Sequence, residues 1–248
     1  MKNNPIGILD SGIGGVTVLK EILKLLPNEN YIYYSDSINN PYGDKTKEQV
    51  YNIVLKIVEY FIEKECKAIV FACNTATALA IEEIRNKYKD MIFIGIEPAY
   101  KMVHDYAKDK NTIVMATPGT IYSDKFQKLY NEYDNKHTIL CPCPHLASII
   151  ENGENDRIIS YLREFLPRNI DIDVVVLGCT HYPLIKKEIT SVLGNVIFYD
   201  GGIGVAKRLR ELLEKNNLIS NATTGIIQFY DSSNNEDKAT RFYEILKK

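Results

Sequence analysis

Two short stretches of this 248-residue chain resemble one another at a separation of 106 positions. The first is Ala68-Ile69-Val70-Phe71-Ala72-Cys73-Asn74-Thr75. The second is Val174-Val175-Val176-Leu177-Gly178-Cys179-Thr180-His181. Each is an apolar run of strand-forming residues, one small residue, a cysteine, and then short polar side chains. Each leads into a helix-like pattern. The other strand candidates repeat in the same register. Residues 5–9, 31–35, 68–72 and 91–96 match 112–116, 138–141, 174–177 and 196–199 at offsets near 105 to 107. Alternating strands and helices, run through twice, confine the chain to an α/β architecture. The expectation is two similar doubly wound parallel-sheet domains related by internal pseudo-symmetry, with the active site between them. Pro98 marks the boundary: residues 1–96 form one domain and 97–205 the other. The tail, 206–248, is expected to return to the first domain as a helix (206–215), a strand (225–230) and a helix (236–247).

Composition excludes several classes of function. A formal net charge of −2 gives no electrostatic footprint for nucleic acid or an anionic membrane. No apolar run approaches the ~20 residues of a spanning helix. The N-terminus lacks a basic segment ahead of its first strand, so no signal peptide is visible. Five cysteines is an odd number for a disulfide framework and points to reduced thiols in a cytoplasmic protein.

In open α/β sheets ligands bind beyond the carboxyl ends of the strands, and the informative residues lie there. After the first strand comes Asp10-Ser11-Gly12-Ile13-Gly14-Gly15, whose counterpart is Thr117-Pro118-Gly119-Thr120. After the second comes Asp36, followed by Pro41-Tyr42-Gly43. After the third strands come Cys73-Asn74-Thr75 and Cys179-Thr180-His181. Hydroxyls, amides and helix-start N–H groups suit a small ligand carrying carboxylates. The glycine loop has the spacing G-x-G-G rather than G-x-G-x-x-G, and no Gly-Lys-Ser/Thr follows, which argues against a nucleotide. A single cysteine at the end of an apolar strand is ordinarily a small buried hydrophobe. Two presented alike by two halves suggest one thiol on each side of a ligand. Removing and replacing a proton on opposite faces of one carbon is the main chemistry that needs this. Each cysteine precedes an expected helix, 75–88 and 182–192, whose positive end is expected to lower the thiol pKa. His137, Cys141, Cys143 and His145 have a spacing that evokes zinc, but Pro142 and Pro144 hold the segment stiff, and it reads as a strand end and its loop. Glu151, by itself, reads as an ordinary carboxylate at a helix end.

Together, Asp10-Ser11-Gly-x-Gly-Gly, Pro41-Tyr42-Gly43, Cys73-Asn74-Thr75-Ala76 and Gly178-Cys179-Thr180-His181-Tyr182-Pro183 strongly resemble the glutamate racemase family, from the first strand to about Leu213. The resemblance implies a cofactor-independent enzyme, with no metal and no pyridoxal phosphate, that supplies D-glutamate for peptidoglycan. It implies that Cys73 and Cys179 are the paired proton donor and acceptor, assisted by Asp10 and His181. By the same carry-over Ser11, Pro41, Tyr42, Gly43, Asn74, Thr75, Thr117, Thr120 and Thr180 hold the substrate, with Asp36 and Glu151 as auxiliary polar groups. His181 is placed to tune or relay the proton of Cys179. Asp10 is placed to do so for Cys73 or to hold the substrate ammonium. A racemase for aspartate or another acidic compound uses the same strategy, and a non-catalytic two-domain protein closing on a small anion is the reading from a different class. The expected partner is a small-molecule substrate; whether two copies pair as a homodimer is left open. A site between two domains needs a hinge, expected at 96–99 and at 201–205, where Gly201, Gly202 and Gly204 would give the backbone freedom.

Overall fold

The structure is a computed structural model that describes residues 1–133, 136–167 and 169–247. The first half runs β1 (Ile6–Asp10), α1 (Val16–Leu25), β2 (Tyr31–Ser35), α2 (Lys47–Glu63), β3 (Ala68–Phe71), α3 (Asn74–Lys87) and β4 (Ile92–Gly95). The second continues with α4 (Tyr100–Tyr106), β5 (Thr112–Ala116), α5 (Pro118–Ile121), α6 (Asp124–Tyr133), β6 (Thr138–Pro142), α7 (Leu146–Glu151) and α8 (Asn155–Phe165). It ends with β7 (Val174–Gly178), α9 (Lys186–Leu193) and β8 (Ile197–Asp200). The tail adds α10 (Gly202–Lys215), β9 (Ile227–Asp231) and α11 (Glu236–Lys247).

Two sheets result, with strand orders β4-β3-β1-β2-β9 and β6-β5-β7-β8. Every pairing in both is parallel. Read in reverse, the second order is β8-β7-β5-β6, the same winding as β4-β3-β1-β2. The internal repeat of the sequence is therefore a repeat of topology. β9 lies outside β2, pairing Tyr31 with Ile227 through Ser35 with Asp231, and among the described residues gives the first sheet a strand that the second lacks.

Parallel strands covered on both faces read as continuous apolar runs, and alternate residues enter opposite cores. Ile6, Ile8, Tyr31, Tyr33, Ala68 and Val70 face one cluster with α1, α10 and Phe242 of α11. Leu9, Ile32, Ile69 and Phe71 face another with α2 and α3. The second sheet divides in the same way, with Ile113, Met115, Val175 and Leu177 on one face and Val114, Ala116, Val174 and Val176 on the other. Each fully buried aliphatic side chain contributes roughly 1.5–3 kcal/mol, so four cores hold two rigid walls.

Local signals fix where the helices start. Thr46 and Gln49 form a reciprocal capping box at α2. Thr117 accepts from Thr120 N at α5, with Pro118 in the first turn. At α3 the cap is a thiol: Cys73 Sγ accepts from Ala76 N at 3.5 Å.

Two expectations need correction. The helix expected over 182–192 is a short 3₁₀ turn, Tyr182–Ile185, followed by α9 from Lys186. Pro183 begins a tight turn here, not a long helix. The glycine-rich crossing 201–205 is already helical, with α10 beginning at Gly202. Gly201 has φ −83 and needs no unusual conformation. It is needed for a close approach instead, because a Cβ there would come within 2.5 Å of Glu97 O and 2.7 Å of Ile96 Cγ1. The two crossings between the sheets thus lie against one another.

Candidate active site

The carboxyl ends of both sheets meet along one seam, and polar contacts cross it. Thr75 Oγ1 lies 2.9 Å from Thr117 Oγ1. Thr180 Oγ1 donates to Asp10 Oδ1 at 3.2 Å. Thr17 Oγ1 donates to the Thr180 carbonyl at 3.1 Å, and Ile13 N donates to Glu151 Oε2 at 3.0 Å. Cys73 and Cys179 are both buried on this seam, one from each sheet.

The thiols stand in different surroundings. Cys73 donates to Ser11 Oγ at 3.7 Å and accepts from Ala76 N. Burial pushes its pKa up to about 12, and the Asp10 charge adds to this. The Ala76 N–H and the Ser11 hydroxyl pull the other way without prevailing. The start of α3, on its own, would lower this thiol. A helix end is worth at most a kcal/mol or two, and desolvation of a fully buried thiolate outweighs it. Cys179 is followed by the 3₁₀ turn, and its Sγ lies 3.8 Å from His181 Nδ1.

His181 continues into a buried chain. Its Nε2 is 2.7 Å from Glu151 Oε2, and Glu151 Oε1 is 2.7 Å from Lys238 Nζ. Burial alone would keep His181 neutral. Hydrogen bonds to Cys179 and Glu151, together with their charges, raise its pKa well above 6.5. Burial likewise opposes the Glu151 charge, but His181 and Lys238 hold the carboxyl down at about 2. His181 and Glu151 are therefore an imidazolium–carboxylate pair at neutral pH.

The glycine loop closes over that pair. A Cβ at Gly12 would meet Glu151 Oε2 at 2.5 Å, and one at Gly14 would meet His181 Nδ1 at 2.5 Å. These glycines let the backbone press onto side chains of the other half. Asp10, at the end of β1, is fully buried and accepts from Gly12 N at 3.1 Å. Burial raises its pKa to about 6; His181 and the Gly12 and Gly15 N–H groups lower it, and Glu151 raises it slightly.

The other residues singled out in the sequence fall in two groups. Asn74, Thr75, Thr117, Thr120 and Thr180 are buried at the seam. Neither amide atom of Asn74 has a partner among the described residues, an arrangement that costs about 1–3 kcal/mol per group unless a ligand meets it. Gly43 packs against Thr117, where a Cβ would approach to 2.9 Å. Asp36 sits further back. It accepts from Tyr42 Oη at 2.6 Å and from Asn39 Nδ2 at 3.1 and 3.0 Å, so it anchors the segment carrying Pro41, Tyr42 and Gly43. Glu151 is no ordinary helix-end carboxylate: it ends α7, buried, at the centre of the seam. Nothing local marks Lys238, because its contact spans 87 positions and its own helix has a solvated amphipathic pattern.

Cys141 and Cys143 place their sulfurs 3.8 Å apart, while His145 Nδ1 turns outward to Asp44 Oδ2 at 3.4 Å. Among the described residues no group of three or more His, Cys, Asp and Glu converges as a metal site. No described helix is long and apolar enough to cross a membrane. A cavity of about 1190 Å³ opens at the two crossings, lined by Glu97, Pro98, Asp200 and Gly201 among others, and neither Cys73 nor Cys179 lines it. Size does not decide here: the convergent polar groups are at the seam.

Comparison with known proteins gives the family and the fold. The family model described as Asp/Glu/Hydantoin racemase matches residues 15–207. The chain is 45% identical over 254 residues to a glutamate racemase of Clostridium botulinum, covering 100% of this chain and 97% of that protein. Its fold is similar to that of a glutamate racemase isoform from Bacillus anthracis, with a TM-score of 0.87 and 29% identity over 100% of this chain and 96% of the other. It is also similar to glutamate racemase from Francisella tularensis solved with D-glutamate, with a TM-score of 0.83 and 31% identity over 100% and 95%.

Proposed function

The chain belongs to the Asp/Glu/hydantoin racemase family, and from that premise we propose that it interconverts L- and D-glutamate by passing the α-proton between Cys73 and Cys179. The observation that carries the reading is the placement of two buried thiols on one seam, each presented by the same strand of a repeated sheet.

The reaction must remove a very weakly acidic α-proton and return another to the opposite face. Two fixed groups spare one base from travelling around the carbon. In one direction a thiolate takes the proton while the opposite thiol gives its own to the planar carbanion; the reverse direction exchanges the roles. Cys73 is held as a thiol in the free protein, which suits it to donate. On the Cys179 side a proton has a second place to reside, the His181 imidazole, which Glu151 and the neighbouring sulfur keep charged. His181 thereby supplies or withdraws a proton beside Cys179 without solvent. Asn74, Thr75, Thr117 and Thr180 offer hydroxyl and amide donors to the substrate carboxylates. Asp10 is positioned to accept from the ammonium group, whose charge would keep it ionised. Preorganised donors in a dry site stabilise the carbanion without an electron-sink cofactor. The product D-glutamate is a building block for peptidoglycan, the role assigned to the enzyme here.

Chiral analysis after separate incubation with L-glutamate and L-aspartate tests the substrate. Formation of D-glutamate at a rate far above that of D-aspartate is expected. The opposite preference would move the assignment to aspartate, and no racemisation of either would leave a binding protein.

A further inference from the structure

We infer that Lys238, on the C-terminal helix α11, is a positioning residue for the proposed reaction: by gripping Glu151 across the seam it fixes His181 against Cys179. The inference rests on the racemase reading and adds to it a role for the tail.

α11 belongs to the first domain by its packing. Phe242 is fully buried, with its ring 4.7 Å from that of Tyr33 and 4.4 Å from that of Phe229. Lys20 of α1 donates to the Ile245 carbonyl at 3.4 Å. From this anchored helix two cations one turn apart reach α7 in the second domain. Lys238 Nζ meets Glu151 Oε1 at 2.7 Å. The Arg241 guanidinium donates to the Glu151 carbonyl and, at 2.5 Å, to the Ile150 carbonyl. These are carbonyls of the last turn of α7, the end at which a cation is favoured.

Glu151 is thus held from three directions: His181 from its own domain, and Ile13 N and Lys238 from the other. Its side chain is 3% exposed, so each carboxylate oxygen depends on protein partners. Oε2 is shared by His181 and Ile13 N, and Oε1 depends on Lys238. Without that partner the carboxylate loses one of its three anchors, and the imidazole it orients loses a fixed position. The charged and titratable groups facing the pair are Lys238 and Arg241 from α11, Asp10 from the end of β1 and Cys179 from the loop after β7. Removing the Lys238 cation leaves Glu151 easier to protonate, which weakens the imidazolium in turn.

The test compares Lys238→Met and Lys238→Arg with the wild-type protein. In Lys238→Met, kcat should fall roughly ten- to a hundredfold, the range for partners that orient a histidine, with KM little changed. The acidic limb of its pH profile should move to higher pH. Lys238→Arg should restore most of the rate and the limb. Alkylation followed thiol by thiol gives a second readout that does not need turnover: the pH dependence of Cys179 labelling should change in Lys238→Met, and that of Cys73 should not. Unchanged kcat with an unchanged limb, or equal losses in the Met and Arg variants, would overturn the inference. A wild-type protein without racemase activity would instead sink the functional reading, while the labelling profile still reports on the Lys238–Glu151–His181 chain.

Discussion

Asp10→Asn should make the free protein more stable and less active, and the gain should depend on pH. Asp10 is completely buried, and its pKa rises from 3.8 to about 6, chiefly through desolvation. A folded-state pKa above the unfolded value means that the folded protein holds its proton longer. Stability is therefore lost as pH rises from the unfolded value through about 6. At about 1.4 kcal/mol per pKa unit, ionising Asp10 in the fold costs about 2 kcal/mol at pH 5 and about 3 kcal/mol at pH 8. An asparagine cannot ionise. Its amide can keep both contacts, with the oxygen accepting from Gly12 N and the nitrogen donating to Thr180 Oγ1, the positions now served by Asp10. The advantage of the variant over wild type should therefore widen by about 1 kcal/mol between pH 5 and pH 8. Reversible urea unfolding at several pH values, without substrate, measures it. Racemisation should fall, because the proposed contact with the ammonium group is lost. A variant no more stable than wild type at pH 8, or one whose advantage does not grow with pH, would refute the account of a strained buried carboxylate.

Three further outcomes are expected. Cys73→Ala and Cys179→Ala should each lose racemisation by at least about 10²- to 10⁴-fold, and the serine variants should fail as well, because a hydroxyl is a far poorer base; near wild-type turnover in both directions from any of them would end the two-thiol mechanism. Gly14→Ala puts a methyl group where His181 Nδ1 lies 2.5 Å away, and displacing the imidazole by about 1 Å should cost on the order of 10²-fold in kcat; steady-state kinetics with a matched circular dichroism spectrum check it, and full activity would show that the loop yields. Bound glutamate should protect both Cys73 and Cys179 from alkylation, and protection of one thiol alone would place the ligand within a single domain.

The fold was legible in the sequence because buried parallel strands are continuous apolar runs, and here the runs recur at one offset. Val174–Gly178 and Ala68–Phe71 are buried throughout and occupy equivalent places in the two sheets. The cysteines were legible for the same reason. What failed was local reasoning applied where tertiary terms dominate. The start of α3 was expected to lower the Cys73 pKa, yet burial raises it. Pro183 was read as a helix start, yet it serves a 3₁₀ turn that keeps His181 beside Cys179. Gly201 also allows close packing against Glu97, which its segment alone does not announce. Glu151 and Lys238 could not be singled out from their own segments. Their meaning comes from partners 30 and 87 positions away, and nothing local in an amphipathic helix announces such a contact.

The central claim is that two thiols work from opposite faces, and incorporation of solvent deuterium tests it most directly. L-Glutamate is incubated with the protein in D₂O, and the α-positions of both enantiomers are followed by NMR and mass spectrometry from the first turnovers. Two thiols predict D-glutamate carrying one deuterium at Cα from the outset, while the remaining L-glutamate stays protonated until the product returns. Deuterium entering L-glutamate as fast as it enters D-glutamate would mean that a single base serves both faces and would contradict the account; no deuterium in either would contradict proton transfer altogether.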